Sequence, residues 1–299
     1  MGKTLLVLTG PTAVGKTALA LRLATRFGCP ILGADSRQMF RDLPIGTAAP
    51  TAEELALVRH YFVGTLPLDA DYNAARYERD ALSLLDELYQ HHETIVCSGG
   101  SQLYIDALVR GIDEMPDVRP DVRTAVVKQL HEEGLASLLE ELQRLDPAYY
   151  EVVDRRNSSR IQHAVEMCRQ TGRPFSALRR GKVKERPFRI VKVALNLPRE
   201  QLFERINRRT DLMMEAGWLD EVKHALPYRH CRALNTVGYK ELLQYLDGAW
   251  TLPFALERIR KNTRVYAKKQ LTWLRRDDSV RWVDAQDIGQ AELTIRQLL

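Results

Sequence analysis

Eight consecutive residues near the N-terminus have types and spacing suited to phosphate chemistry. They read GPTAVGKT and match the pattern GxxxxGK[ST], between an apolar run and a helical pattern. Glycines let a backbone wrap a phosphate with its amides pointing inward, and a helix N-terminus adds positive potential. The lysine supplies a point charge, and the threonine offers a hydroxyl to Mg²⁺. We predict a P-loop that binds a pyrophosphate or polyphosphate through Gly10, Pro11, Thr12, Ala13, Val14, Gly15, Lys16 and Thr17.

A carboxylate follows the next apolar run. Asp35 ends the segment ILGAD, at the strand edge where open α/β sheets bind ligands. On position alone, Asp35 can be a metal ligand, a general base or a helix cap. The P-loop does not decide the reaction, because the NKxD motif of GTPases is absent and small-molecule kinases also place an acid here. A motor-type ATPase and a kinase therefore both remain open at this point.

The elements that must position these residues alternate between strand and helix. Strands are predicted at 4–9, 31–34, 94–97 and 190–195, and helices at 17–27 and 77–90. This alternation predicts an α/β fold with a parallel sheet covered by helices. From 117 to 180 the periodicity is only helical, with breaks at Gly134, Pro147 and Gly172. We predict an α/β core made of residues 1–111 and 189–299, with a helical C-terminal part, and a helical insertion domain at 112–188.

Charge is distributed unevenly along the 299 residues, whose net charge is +5. Residues 155–192 contain 12 Lys and Arg against 2 Glu, and residues 255–276 contain 8 against 1. Two basic stretches around a phosphate-binding core favour a polyanionic partner, although a solvated surface would give the same pattern. The four cysteines form no CxxC pair, and no apolar stretch is long enough to span a bilayer. We expect a cytoplasmic protein with reduced cysteines and no signal peptide.

Six motifs occur in one order over nearly the whole chain: GPTAVGKT, ADSRQMF, DLPIGTAAP, SGGSQLYIDAL, GYKELLQYL and TRVYAKKQLTWLRR. This series resembles the bacterial tRNA dimethylallyltransferases, also called tRNA isopentenyltransferases. The resemblance implies a P-loop kinase-like fold whose helical insertion binds tRNA. It implies transfer of a dimethylallyl group from dimethylallyl diphosphate to the exocyclic amine of the adenosine just 3′ of the anticodon. In that picture the P-loop holds the diphosphate leaving group, Mg²⁺ lies on Thr17, and the enzyme is a monomer that needs no membrane.

The resemblance also implies roles for single residues. Asp35 matches the general base, and Gln38 of the same DSxQ pattern can read the adenine edge as both donor and acceptor. Ser101 stands where the family has threonine and keeps the hydroxyl that would touch substrate, so the catalytic set is Asp35, Ser101, Lys16 and Thr17. Arg209 matches a basic residue expected to close over the diphosphate.

The implied tRNA contacts are distributed over several segments. They are Asp35, Ser36, Arg37, Gln38, Ser101, Arg123, Arg160, Ile161, Gln162, His163, Ala164, Arg264 and Lys268. Arg264 and Lys268 lie with Lys269 and Gln270 on a basic helix, for which contact with tRNA and contact with pyrophosphate both remain open. His163 stands where family members commonly have arginine, so this one contact departs from the pattern. Tyr104 and Trp273 are expected to pack in the core rather than against substrate.

Three rival functions remain. A small-molecule kinase explains the P-loop and Asp35, but not the helical insertion or the basic C-terminal helix. An adenylate isopentenyltransferase shares the chemistry, but a free nucleotide needs no extended basic surface. An RNA-binding module with a vestigial P-loop is disfavoured because Lys16, Thr17 and Asp35 are all intact.

Overall fold

The computed structural model describes residues 2–299, and within that range six parallel strands form one sheet in the order β3-β2-β4-β1-β5-β6. The strands are β1 Thr4–Thr9, β2 Ile31–Gly33, β3 His60–Tyr61, β4 Thr94–Ser98, β5 Arg189–Asn196 and β6 Arg281–Asp284. Helices connect the strands, so the prediction of a parallel α/β fold is confirmed.

Thirteen α-helices lie in the described chain. They are α1 Lys16–Phe27, α2 Ala52–Leu57, α3 Ala74–Leu88, α4 Gln102–Arg110, α5 Pro120–Leu145, α6 Pro147–Val152, α7 Ser158–Thr171, α8 Phe175–Leu178, α9 Arg199–Glu215, α10 Trp218–His224, α11 Tyr239–Leu246, α12 Leu252–Leu274 and α13 Ile288–Leu298. Two short 3₁₀ helices cover Leu226–Tyr228 and Arg232–Leu234. No helix among the described residues has the length and apolar character that crossing a bilayer requires.

The central strand β1 fixes where ligands can bind. All six of its residues are buried, and Leu6 lies between Val96 of β4 and Val191 of β5. The chain leaves β1 towards β2 on one side of the sheet, whereas it leaves β5 towards β6 on the other. Opposed connections open a crevice at the carboxyl ends of neighbouring parallel strands. The P-loop follows β1 into this crevice.

Both edge strands were missed by the sequence interpretation. β3 has two residues, and three of the four residues of β6 (RWVD) are exposed. Central parallel strands are recognisable because both faces are buried, which makes them continuous apolar runs. An edge strand lacks that double burial, so neither segment carries the signal. The C-terminal part is mostly helical, as expected, and β6 is the one strand that the described chain contains after residue 199.

The chain contacts divide into two compact units, one of which is helical and spans Gly111–Lys184. This helical unit contains α5 to α8 around its own core, in which Leu138, Leu142 and Val165 are completely buried. The three breaks expected from the sequence have distinct structures. Gly134 interrupts α5 with φ 82°, Pro147 begins α6, and Gly172 ends α7 with φ 65°. The other unit contains the sheet and the remaining helices.

Candidate active site

The P-loop turns from β1 to α1 through residues with positive φ. Gly10 has φ 141°, and a Cβ there would lie 2.7 Å from the backbone oxygen of Leu195. Gly15 has φ 107° and caps α1. Lys16 curls back over the loop, where its Nζ donates to the carbonyl oxygens of Gly10 at 3.1 Å and Pro11 at 2.9 Å. The lysine amine is therefore held above the loop, where a phosphate would lie.

Burial controls the charge of Lys16. Loss of solvent lowers the pKa of its amine to about 8, with Asp35 acting in the opposite sense and Arg209 lowering it further. The amine remains mostly protonated at neutral pH, and the positive charge of Arg209 repels it. An anionic ligand would relieve this repulsion, so the local charge favours binding of a diphosphate.

Helix α9 places two arginines against the P-loop. Arg209 donates from Nη2 to the hydroxyl of Thr12 at 2.6 Å, and burial lowers its pKa. Arg205, one turn earlier, donates from Nη1 to the carbonyl of Val14 at 3.4 Å. The sequence indicated Arg209 but not Arg205, although their i,i+4 spacing puts both on one helix face.

Asp35 lies in a loop that the Gly99-Gly100-Ser101 turn supports. Its Oδ1 accepts a hydrogen bond from the backbone N–H of Arg37 at 2.9 Å. Ser101 Oγ accepts from the backbone N–H of Ser36 at 2.9 Å and lies 3.1 Å from Ser36 Oγ, to which it donates. Ser101 therefore holds the Asp35 loop. The direct substrate contact implied for its hydroxyl has to compete with these internal bonds.

Gly100 lies beside both charged groups of the site. A Cβ at this position would be 3.7 Å from Asp35 Oδ2 and 3.9 Å from Lys16 Nζ. The carboxylate that follows β2 and the amine of the P-loop thus flank one glycine at the end of β4. The structure therefore brings the predicted base and the predicted phosphate site together.

Gln38 differs from its expected role. Its Nε2 donates to the carbonyls of Thr47 at 3.1 Å and Ala48 at 2.8 Å. Both N–H groups of the Gln38 amide are therefore bonded to backbone carbonyls, which leaves Oε1 as the atom available to an adenine base. The expectation that Gln38 both donates and accepts is corrected to acceptance alone. Arg37 also makes a backbone contact, from Nη1 to the carbonyl of Arg232 at 2.8 Å.

A pocket combines the polar groups with apolar side chains. Its space of about 720 Å³ includes open solvent at the mouth. Its lining comprises Thr12, Asp35, Arg37, Gly46, Thr47, Arg209, Thr210, Met213, Trp218, Thr236, Val237, Ile259, Thr263 and Tyr266. Trp218 is 2% exposed and belongs to the apolar core beside the pocket. The pocket can therefore accept a ligand that has an anionic part and a hydrocarbon part.

Gln270 is a site residue that the sequence interpretation assigned only to a basic helix. It is 4% exposed, accepts from the backbone N–H of Thr12 at 2.9 Å, and donates to the carbonyl of Gly100 at 2.9 Å. The available signal was its spacing from Ala267 and Leu274, which puts it on the buried face of α12.

Arg264 and Lys268 lie in a separate cationic cluster rather than in the pocket lining. We define the Phe203 cluster as Arg199, Phe203, Arg264 and Lys268. Around the Phe203 ring centroid, Arg199 lies at 5.1 Å, Arg264 at 5.8 Å and Lys268 at 5.6 Å. Arg264 also donates to Asn207 at 2.8 Å. Such convergence of cations on one ring suits a phosphate-bearing partner.

The two aromatic residues expected in the core behave differently. Tyr104 is buried, and its ring stacks on Tyr77 with centroids 4.9 Å apart. Trp273 is 40% exposed and donates from Nε1 to Asp106 of α4 at 2.9 Å. The expectation that Trp273 belongs to the core was wrong, because its indole N–H is bonded at the end of α12 and its ring stays partly open.

The helical unit presents only part of the predicted RIQHA segment to solvent. Arg160 and His163 are exposed and Gln162 is half-buried, whereas Ile161 and Ala164 are completely buried in the core of the helical unit. The expected tRNA contacts of Ile161 and Ala164 are therefore corrected. Their side chains fix the helix that carries the three polar residues.

Two of the predicted tRNA-contacting side chains lie beside one buried carboxylate. Glu166 of α7 is 5% exposed, and its carboxylate lies 4.0 Å from Arg123 Nε and 3.7 Å from His163 Nδ1. Arg123 belongs to α5, so the carboxylate links two helices. Glu166 was missed, although a charged residue on a helix face that is otherwise apolar is a recognisable signal.

Comparison with known proteins assigns the chain to one group. The IPP transferase family model matches residues 38–277. A tRNA dimethylallyltransferase 2 of Parabacteroides distasonis is 54% identical over 279 residues, which are 93% of this chain and 93% of that protein. A tRNA dimethylallyltransferase 1 of Bacteroides thetaiotaomicron is 53% identical over 93% of this chain and 91% of its own length.

Solved structures show the same relation in three dimensions. The full-length tRNA isopentenylpyrophosphate transferase of Bacillus halodurans matches with a TM-score of 0.72 and 31% identity, over 99% of this chain and 95% of that chain. A eukaryotic dimethylallyltransferase acting on tRNA matches with a TM-score of 0.79 over 99% of this chain and 77% of that one. At 23% identity, this second match is a likeness of fold.

Proposed function

This chain belongs to the IPP transferase family, and we propose that it is a prenyltransferase that moves a dimethylallyl group from dimethylallyl diphosphate to a tRNA adenosine. The acceptor is the exocyclic amine of the adenosine just 3′ of the anticodon, and diphosphate is released. The observation that carries the proposal is the pocket. Arg209 and Asp35 line it together with Met213 and Ile259, which suits a donor that joins a charged diphosphate to a hydrocarbon chain.

The leaving group is stabilised by the P-loop side of the site. As the bond between the prenyl C1 and the diphosphate oxygen breaks, negative charge grows on the diphosphate. Lys16, Arg209 and the amides of the P-loop lie where they can bind this charge. The hydrogen bonds that Lys16 now makes to the loop carbonyls would be exchanged for bonds to phosphate oxygens.

The acceptor amine is activated on the Asp35 side of the site. As the new bond forms between the adenine nitrogen and C1, the nitrogen becomes acidic, and Asp35 takes its proton. Gln38 presents Oε1 to the adenine edge, and Ser101 keeps the Asp35 loop in place. The target base has to leave its stack to reach this pocket, so base flipping is part of the proposal.

Mg²⁺ belongs to the proposal as a companion of the diphosphate. Thr17 lies on the first turn of α1 beside Lys16, and within residues 2–299 no three His, Cys, Asp or Glu side chains cluster as metal ligands. Mg²⁺ usually keeps several waters and binds through one or two protein groups plus substrate phosphates. Thr17 and a diphosphate fit this donor set. The bound ion would neutralise charge on the leaving group.

The tRNA would bind to both units of the chain. In the helical unit, the proposed contacts are Arg123, Arg160, Gln162 and His163. In the α/β unit they are Asp35, Ser36, Arg37, Gln38 and Ser101 near the target base, and Arg264 and Lys268 of the Phe203 cluster. Two basic regions on one chain suit an extended polyanion better than a mononucleotide. We propose a monomer that works in the cytoplasm.

The test is a reaction of purified protein with Mg²⁺, dimethylallyl diphosphate and tRNA that lacks the modification. Mass spectrometry of the digested nucleosides should find a prenylated adenosine, and the Asp35→Asn variant should give far less of it. Prenylated AMP in place of prenylated tRNA would identify an adenylate isopentenyltransferase. Steady formation of ADP from ATP and a small acceptor would identify a kinase.

A further inference from the structure

We propose that Gln270 is a positioning residue that holds the P-loop and the Gly99-Gly100-Ser101 turn at a fixed separation. The catalytic meaning of this inference rests on the proposed function, because the P-loop would hold the leaving group and the turn supports the base. The amide of Gln270 forms one hydrogen bond to each of the two loops.

The oxygen and the nitrogen of the Gln270 amide each have a backbone partner. Its Oε1 accepts from the N–H of Thr12 at 2.9 Å, and its Nε2 donates to the carbonyl of Gly100 at 2.9 Å. An amide can accept from one backbone through its oxygen and donate to another through its nitrogen, and these two atoms are held apart in one plane. Because the side chain is 4% exposed, water cannot readily replace either bond.

Thr12 is held from two helices at once. Gln270 of α12 binds its backbone, while Arg209 of α9 binds its hydroxyl at 2.6 Å. The loop position next to the phosphate site is therefore set by side chains that come from far along the chain, and not only by the local sequence of the P-loop.

Helix α12 is itself fixed on both sides of Gln270. On the N-terminal side, Arg264 donates to Asn207 of α9 at 2.8 Å. On the C-terminal side, Trp273 donates to Asp106 of α4 at 2.9 Å. Just beyond the helix, Asp277 pairs with the buried Lys192 of β5. These contacts hold Gln270 rigidly, so its two hydrogen bonds can keep the P-loop and the Gly99-Gly100-Ser101 turn at a fixed separation.

The spacing matters because one of the two loops that Gln270 joins holds the phosphate site, and the other supports the loop of the base. Lys16 belongs to the P-loop, and Asp35 Oδ2 lies beside Gly100. Bond formation requires reacting atoms about 3–3.5 Å apart and aligned, and a misplacement of about 1 Å costs roughly 100-fold in rate. Without the bridge, the diphosphate can still bind to the P-loop and the adenosine can still bind beside Asp35, but the two ligands would be misaligned.

The first test replaces Gln270 by alanine and by glutamate. In Gln270→Ala, kcat should fall roughly 30- to 100-fold, while the KM for tRNA and the affinity for Mg²⁺-pyrophosphate by calorimetry change less than about threefold. Gln270→Glu keeps an acceptor for the N–H of Thr12 and should retain more activity than Gln270→Ala. An unchanged kcat in Gln270→Ala, or equal losses in kcat and in both affinities, would overturn the inference.

Gln170 of the helical unit supplies a matched control. Its side chain makes the same pair of backbone bonds, accepting from Arg119 N–H at 2.8 Å and donating to the carbonyl of Asp117 at 2.9 Å. Gln170→Ala should leave kcat within about twofold of the parent protein, since this amide is not linked to the reacting groups. A fall in kcat as large as that of Gln270→Ala would mean that losing any such bridge is simply damaging.

A double-mutant cycle with Gly100 tests the contact directly. A Cβ at Gly100 would lie 2.7 Å from Gln270 Nε2, so Gly100→Ala pushes against the end of this side chain. Gly100→Ala should therefore lower kcat in the parent protein and cost less than about threefold more in the Gln270→Ala background. Additive losses would overturn the inference.

These tests remain separate from the test of the proposed function. A parent protein that never prenylates tRNA contradicts the proposed function, whatever Gln270 does. A parent protein that prenylates tRNA, with Gln270→Ala equally active, contradicts only the positioning role. Thermal unfolding of each variant, within about 4 °C of the parent, ensures that lost activity is not lost folding.

Discussion

Replacement of Gly99 by alanine should disable the site while leaving the fold in place. Gly99 packs directly on the residue before Asp35. A Cβ there would lie 2.1 Å from the carbonyl oxygen of Ala34, 2.3 Å from its carbonyl carbon and 2.7 Å from its Cα. All three atoms are backbone, so no side chain can rotate away. The strand end that carries Asp35 has to move instead.

The size of the movement follows from these distances. Contacts of this kind are ordinary from 3.4 Å outward, so the Ala34 carbonyl must retreat by about 1 Å or the turn must shift by as much. A misplacement of about 1 Å costs roughly 100-fold in rate, which corresponds to about 2.7 kcal/mol in activation free energy. Overpacking also destabilises the fold by about 1–3 kcal/mol.

The assay is single-turnover prenylation of tRNA with saturating enzyme and dimethylallyl diphosphate, followed by nucleoside mass spectrometry. The chemical step should fall by roughly two orders of magnitude. The affinity for Mg²⁺-pyrophosphate, measured by calorimetry, should change far less, because the substitution pushes against the Ala34 backbone rather than against Lys16 or Arg209. Thermal unfolding should move by about 2–4 °C for each kcal/mol of destabilisation.

Gly289 offers a matched control for the same substitution. It lies in α13, and a Cβ there would meet only the flexible Asp287 side chain, at 3.3 Å. Gly289→Ala should leave activity unchanged and stability equal or slightly higher. A Gly99→Ala protein that folds and reacts within threefold of the parent would refute the reasoning that Asp35 is positioned by this backbone contact.

Three further predictions concern charge. Asp35→Ala should slow the single-turnover rate far more than it weakens tRNA binding in a filter assay, and equal losses would show a structural role. Burial puts the pKa of Lys16 near 8, so the affinity for dimethylallyl diphosphate should fall as pH rises through about 8 and the amine loses its proton. A calorimetric affinity that stays constant from pH 7 to 9.5 would contradict this. Lys16→Arg should remove the pH dependence. Arg160→Gln should reduce the slope of log affinity for tRNA against log salt by about 0.9, while His163→Arg should increase it; unchanged slopes would remove both residues from the RNA surface.

The sequence predicted the parts of the fold whose signal is local. β1, β4 and β5 are buried on both faces, so each is an apolar run that can be recognised without tertiary information. The glycine and proline breaks of the helical unit follow from backbone geometry. β3 and β6 carry no such signal, because an edge strand is defined by its neighbour rather than by its own composition.

The site residues that could be predicted from the sequence are likewise those with a local signal. Lys16 and Asp35 belong to short motifs after predicted strands, so their position at one sheet edge could be inferred. The spacing of Gln270 could place it on the buried face of α12, but its hydrogen-bond partners could not be predicted, since they lie more than 160 positions away along the chain. Ser101 and Gln38 were identified, but their internal hydrogen bonds change what they can offer a substrate.

The unremarkable edge strands have a consequence for how the protein behaves at high concentration. A sheet edge exposes unpaired N–H and C=O groups that can template addition of another chain, and proteins limit this with short strands and charged side chains. β3 is only two residues long, and β6 begins with Arg281 and ends with Asp284, both exposed. Each end of the sheet therefore offers little to a second molecule, and growth into fibrils by strand addition is discouraged at both edges.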